Sequence, residues 1–423
     1  SHISHISHIS IRLCSREGIS VFPVISSNFG HTHLSQNMLK LPIYLDNNAT
    51  TPVDPEVLQA MLPYFREHFG NAASRSHSFG WTAEEAVKQA REQVGQLIQA
   101  NPSEIVFTSG ATEAINLALK GVFEVYGQAG KHIITCSTEH KAVLDTCKHL
   151  EKLGADITFL PVNSYGTIDL SLLESAIRPD TILISIMLAN NETGVLQPVK
   201  EIGAIAKQHG IIFFTDATQA AGKIPVDVQA DNIDMLCMSA HKIYGPKGVG
   251  ALYVRRKNPR VSLAAQIDGG GHERGMRSGT LNVPGIVALG KSCAICLQQM
   301  DEESRSIGAL RDQLEQGLTQ MKNITVNGSI IHRLPNVTNL AFAGIAGNKL
   351  LTEISRTIAV SSGSACTSAN PEPSHVLKAM KLNDELAKSS IRFGLGRFTT
   401  REEIEYTIDT VKAILQNLTG LPI

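Results

Sequence analysis

Aromatic residues are scarce, 5% of the chain with a single Trp, and neither sign of charge prevails. Thirty-eight Lys and Arg stand against 39 Asp and Glu, a formal net charge of -1. That balance removes the broad basic field by which proteins bind nucleic acid or anionic membranes. No apolar run approaches the ~18–20 residues of a membrane helix. The longest, Thr181 to Ala189 (TILISIMLA), reads as a buried strand. Cysteines are few and odd in number, seven over 423 residues. In a chain long enough to bury its own core, they argue for free thiols in a reducing compartment rather than a disulfide framework. No G-x-x-x-x-G-K-[ST] occurs and no G-x-G-x-x-G follows a strand, so dinucleotide binding is disfavoured.

What is present is alternation. From Ser103 onward, short β-rich runs (104–110, 132–136, 156–160, 182–188, 211–216, 233–240 and 250–254) interleave with helical patterns at 141–152, 170–177 and 200–209. This is the signature of crossover units, and predicts an α/β fold with a mostly parallel seven-stranded sheet flanked by helices and ligands at the strand carboxyl ends. Long helices are expected at 79–100, carrying Trp81, and at 283–321. After them, VTNLAF (337–342), a helix at 348–356, IRFGL (391–395) and a closing helix from Arg401 predict a smaller C-terminal α/β domain. Residues 1–37, opening with SHISHISHIS, show neither strand nor helix period and read as a leader or tag, with a transit peptide as the competing reading.

Several segments carry chemistry. Lys242, in SAHKIYGPKG beside His241 and Ser239, is either a surface charge or an amine that condenses with a carbonyl. Asp216 ends the apolar strand 211–215, where a buried carboxylate needs a cationic partner or else caps the following turn. GATEA (110–114) opens a helix after a strand; small residues and free N–H groups there suit a phosphate. His140 follows the strand 132–136, as a helix cap or as a ring facing the strand-end crevice, and Asn191 follows another strand. Cys366 lies in SSGSACTSA, a composition with no apolar period, and is either an incidental thiol or an exposed nucleophile. Arg392 offers a fork for a carboxylate, with Arg397 as its rival. Cys293 and Cys296 sit in a helical apolar pattern without a second ligand pair, which favours packed thiols over a metal site; no metal is expected.

Taken with YLDNNATTPVDP, FGNAASRSH, FTSGATEAINLA, TEHKAVLDT, NNETGVLQP, DATQAAGK, GGGHERGMRSGT and SSIRFGLGRFTT, the chain resembles the class V, fold type I pyridoxal-phosphate enzymes over nearly all of residues 38–423. More narrowly, it is similar to cysteine desulfurases of the NifS/IscS type. The resemblance implies pyridoxal 5'-phosphate bound covalently by Lys242, with Asp216 at the ring nitrogen, Gln219 at the ring oxygen, His140 stacked on the ring and Asn191 beside it. Ala111, Thr112, Ser239 and His241 would form the phosphate cradle. Thr280 would reach the phosphate of a neighbouring subunit, which implies a homodimer. Arg392 and Asn47 would bind substrate. Cys366 would take sulfur from L-cysteine as a persulfide and pass it to an iron-sulfur scaffold or another acceptor. The long loop around it matches group I, since the group II R-x-G-H-H-C is absent.

The resemblance also implies a division into an N-terminal segment (38–50) packed on the small domain, a large cofactor-binding domain (51–294) and a small domain (295–423) bearing the Cys366 loop. The expected setting is cytoplasmic, or an organelle matrix if residues 1–37 are a transit peptide. An aminotransferase or selenocysteine lyase on the same scaffold, or a non-catalytic sulfur-transfer scaffold, are the rival readings.

Overall fold

The computed structural model describes residues 39–362 and 372–419. Twelve strands are found among them: β1 (Ile43–Tyr44), β2 (Ile105–Thr108), β3 (His132–Cys136), β4 (Asp156–Leu160), β5 (Thr181–Ser185), β6 (Ile212–Asp216), β7 (Met235–Ser239), β8 (Gly250–Val254), β9 (Ile324–Val326), β10 (Val337–Phe342), β11 (Ile358–Ala359) and β12 (Ser390–Gly394). Seven of them form one sheet in the order β2-β8-β7-β6-β5-β3-β4. β7, β6, β5, β3 and β4 run parallel, while β8 is antiparallel to both β7 and β2.

Successive residues of these strands enter two different cores. Ile134, Ile184, Phe213, Leu236 and Ala251 join one cluster. Their chain neighbours Ile133, Leu183, Phe214, Cys237 and Leu252 join the other. With apolar side chains on both faces, the strands read as continuous hydrophobic runs, as a sheet covered on both sides by helices requires. The expected helices appear at Lys141–Lys152, Leu170–Ala176, Val199–His209 and Ser78–Leu97.

Apart from the two cores of the large sheet, which make up the main core, a second core is built on a three-stranded antiparallel sheet, β12-β10-β9, and on the parallel pair β1-β11. Ile43, Leu45, Leu340, Phe342, Ile391 and Phe393 are buried there together with Ile404 and Val411 of the closing helix. The helix Val283–Thr319 runs unbroken through residues 294 and 295: Leu289, Cys293 and Cys296 enter the main core, Ile307, Leu314 and Leu318 the second. Cys293 and Cys296 are free, buried thiols, as are Cys136, Cys147 and Cys237. No group of His, Cys, Asp or Glu among the described residues is arranged to hold a metal, and no described helix is long and apolar enough to cross a membrane.

The parallel strands point their carboxyl ends to one edge. Asp216 closes β6, Ser239 closes β7, and His140 and Asn191 lie just beyond β3 and β5. The amino-terminal thread is pinned at the same edge, since Asn47 N–H donates to Gly394 O and Gly394 N–H to Leu45 O.

Candidate active site

A cavity of about 680 Å³ opens at this edge, lined by Ala111, Thr112, His140, Asn191, Asp216, Gln219, Ser239, His241, Lys242 and Arg392, with Asn48, Thr50 and Lys247. The fold thus brings ten residues singled out in the sequence to one place. Thr280 is exposed and does not line this cavity. Asn47 is buried with its amide donating to Gly394 O at 3.0 Å; its neighbour Asn48 faces the cavity instead. Arg397 is engaged elsewhere, ion-paired to Asp54 (2.6 Å) and to Glu303, with its guanidinium 4.2 Å from the Tyr244 ring centroid. Cys366 lies outside the described residues.

Lys242 sits in a one-turn 3-10 helix that follows β7, and its Nζ donates to Asn48 O (2.5 Å) and Ala49 O (2.7 Å). Burial, and then the positive charge of Arg392, lower its pKa to about 8, against the opposing pull of Asp216 and Asp46. An amine in that range is free as a nucleophile in a sizeable fraction at neutral pH. Asp216 accepts at Oδ1 from Thr218 N–H (2.9 Å) and from the Cys237 thiol (3.3 Å), and its Oδ2 has no protein donor. Burial and the adjacent carboxylate push the Cys237 thiol well up, so it stays protonated and can donate.

His140 caps the helix that follows it. Its Nδ1 accepts from Ala142 N–H at 3.1 Å, which leaves the neutral ring's proton on Nε2. Burial lowers its pKa, as does the charge of Lys242. His241 is held lower still, to about 4, by burial and by Lys242, Lys247 and Lys223, and its Nδ1 lies 3.2 Å from Thr50 Oγ1. Both imidazoles are therefore neutral at pH 7, with their apolar ring faces available.

The opposite wall is the start of the helix Ala111–Tyr126. Its N-cap is Gly110, at φ 152° and ψ -179°, a conformation open to glycine alone, and no side chain caps it. Among the described residues, the amides of Ala111, Thr112 and Glu113 find no acceptor and the Ser239 hydroxyl no partner. Free N–H groups at a helix start, with Ser239, His241 and Lys247 beside them, suit a phosphate. A carboxylate oxygen without a donor, a flat neutral imidazole and a reactive amine complete what pyridoxal phosphate needs. These residues fit that group.

Arg392 approaches from β12. Its Nη1 donates to Asn191 O (2.9 Å) and its Nη2 to Asp46 (2.6 Å), while Nε has no partner. Three of five guanidinium donors remain for a ligand.

Four neighbours were missed by sequence reasoning. Asn48 and Lys223 converge on Gln219. The buried Glu192 accepts from the Ser374 hydroxyl, and burial raises its pKa to about 7. Glu139, beside His140, accepts from Met187 N–H at 2.6 Å. The only signal for any of them is position, next to or a few residues from a residue that the motifs identify.

The model of the aminotransferase class-V family matches residues 43–407. The chain is 58% identical to the cysteine desulfurase IscS of Anaeromyxobacter dehalogenans over 371 residues, 88% of this chain and 91% of that protein. Against the cysteine desulfurase IscS of Methylobacillus flagellatus it is 54% identical over 384 residues, 90% and 94% of the two chains. A solved structure described as a NifS-like protein is similar with a TM-score of 0.83 and 38% identity, covering 89% of this chain and all of that one.

Proposed function

The chain belongs to the class-V aminotransferase family, and from that premise we propose that it acts as a cysteine desulfurase dependent on pyridoxal 5'-phosphate. The observation that carries this reading is the convergence of Lys242, Asp216, His140 and Arg392 on one cavity. When bound, the cofactor supplies an electron-withdrawing ring conjugated to the substrate's α-amine. Lys242 holds the cofactor and afterwards moves protons at the substrate Cα and the adjoining carbon. Asp216 would hold the ring nitrogen, and its negative charge would keep a positive charge there favourable. His140 covers one ring face and Arg392 binds the α-carboxylate.

Cys366 is the sulfur acceptor. Its thiolate attacks the substrate sulfur, and the new S–S bond forms as the Cβ–S bond breaks. The electron pair stays on carbon, which gains a proton. L-cysteine and the Cys366 thiol thus become L-alanine and a Cys366 persulfide, carbon being reduced as sulfur is oxidised, with no outside oxidant.

The acceptor is an iron-sulfur scaffold or another sulfur carrier, and the setting is the cytoplasm. Residues 51–294 form the cofactor-binding domain, with 38–50 and 295–423 as the small domain. A homodimer is supported by the exposed apolar side chains Leu62, Phe65, Phe69, Phe79 and Trp81, Phe69 and Phe79 in ring contact, and Thr280 would serve the partner's cavity.

The test uses holoprotein and L-cysteine, with alanine and protein persulfide quantified. Cys366→Ala is expected to keep the visible cofactor absorption and the spectral response to cysteine while persulfide is lost; Lys242→Ala is expected to lose the covalent linkage itself. Absence of alanine from the wild type would overturn the activity, and full persulfide in Cys366→Ala would overturn the role of that thiol.

A further inference from the structure

Behind the cavity floor stands a lysine that the reaction does not use. Lys223 Nζ donates to Gln219 O at 2.9 Å and to Gln219 Oε1 at 3.4 Å. No carboxylate pairs with it: Glu303, which borders the same small void, is taken by Arg397. Burial, and then the charge of Lys242, lower its pKa to about 7. Charged or neutral, the group has hydrogens enough to donate to both oxygens.

Gln219 is held from a second side. Asn48 Nδ2 donates to Gln219 Oε1 (3.3 Å) and Gln219 Nε2 donates to Asn48 O (2.9 Å). Asn336 Nδ2 donates in turn to Asn48 Oδ1 (3.1 Å), which fixes the Asn48 amide. A flipped Gln219 amide would set Nε2 against the donors of Lys223 and Asn48, and Oε1 against the Asn48 carbonyl. Only one orientation is compatible with these partners. In it, Nε2 keeps one N–H without a protein acceptor, on a side chain that lines the cavity.

We propose that Lys223 is a positioning residue for the cofactor: it locks the Gln219 amide so that the cavity receives an N–H donor, suited to a ring oxyanion, rather than a carbonyl. The inference rests on the pyridoxal-phosphate reading above. It assigns Lys223 no contact with the cofactor, and predicts that its hydrogen-bonding influence on binding passes through Gln219.

The experiment is a double-mutant cycle on cofactor-free protein titrated with pyridoxal phosphate, reading Kd and the visible absorption of the complex. Gln219→Leu is expected to weaken binding about tenfold, the size of one hydrogen bond to an ionised oxygen, and Lys223→Met by a smaller factor, since Asn48 still engages the amide, with the visible band shifted in the same direction by both. The double variant should be no weaker than Gln219→Leu alone. Lys223→Arg, which keeps a donor, is expected to stay within about threefold of the wild type. Multiplying losses in the double variant, or an unchanged Kd and band in Lys223→Met, would overturn the proposal. Should Lys223→Met fail to fold, Lys223→Arg decides: a folded protein with the band shift of Gln219→Leu refutes the role, and a wild-type band supports it. A wild type that binds no pyridoxal phosphate sinks the underlying reading instead.

Discussion

The lowered pKa of Lys242 can be measured without turnover. An ordinary lysine near 10.5 is free amine at pH 7 to about 0.03%, whereas one at about 8 is free to about 9%. If the free amine is the form that captures the cofactor, Lys242 should react roughly 300-fold faster than an exposed lysine at that pH. The capture rate of cofactor-free protein should rise with pH and level off above about 8. The first cause is burial, which no single substitution removes, but the second is the Arg392 charge. Arg392→Gln should therefore move the midpoint upward and slow capture at pH 7. Asp216→Asn should move it downward, because a carboxylate that favours the charged amine is lost. The assay is stopped-flow absorbance after mixing with pyridoxal phosphate, with Lys242→Ala as blank. A midpoint at 10 or above, or one indifferent to Arg392→Gln, refutes the electrostatic account.

Three further outcomes are expected. Arg397→Ala takes the cation away from the buried Asp54, the half-buried Glu303 and the Tyr244 ring. A loss of about 3–5 kcal/mol in urea unfolding is expected, with cysteine still seated by Arg392. Ser374 caps the helix His375–Ala379, accepting from Val376 and Leu377 N–H, and gives its only proton to Glu192. Ser374→Ala should cost about 1–2 kcal/mol and Ser374→Thr much less by the same measurement. Glu192 has its folded pKa raised to about 7 by burial. Between about pH 4.5 and 7 the folded state binds more protons than the unfolded, so stability falls as pH rises through that window, by about 3 kcal/mol. Glu192→Gln should abolish that slope in urea titrations at pH 5, 6 and 7; an unchanged slope refutes the assignment.

The sheet was legible because its strands are buried on both faces, and a buried strand announces itself as a compact apolar run between turn signals. β10 matches its string VTNLAF residue for residue. The strands that escaped, β1, β9 and β11, have two or three residues each, too few for any period to register. Within the site, side chains ending a strand were readable because the strand fixes which edge they reach. The thread Asp46–Thr50 has no such frame. Adjacent amides there point different ways, so Asn48 rather than Asn47 meets Gln219. Lys223 escaped for another reason: its significance lies in donating to both oxygens of Gln219, a relation between side chains that no linear string expresses.

The site is sealed by residues far apart along the chain. Asp46 leaves the ribosome early, yet its partner Arg392 follows 346 positions later, roughly 20–70 s at ordinary elongation rates. Ile43 and Leu45 in turn have no strand to pair with until β11, residues 358–359, has been made, and a nascent chain in that state is a natural client for a chaperone. The pocket can close around its vitamin-derived guest only after Arg392 has been added.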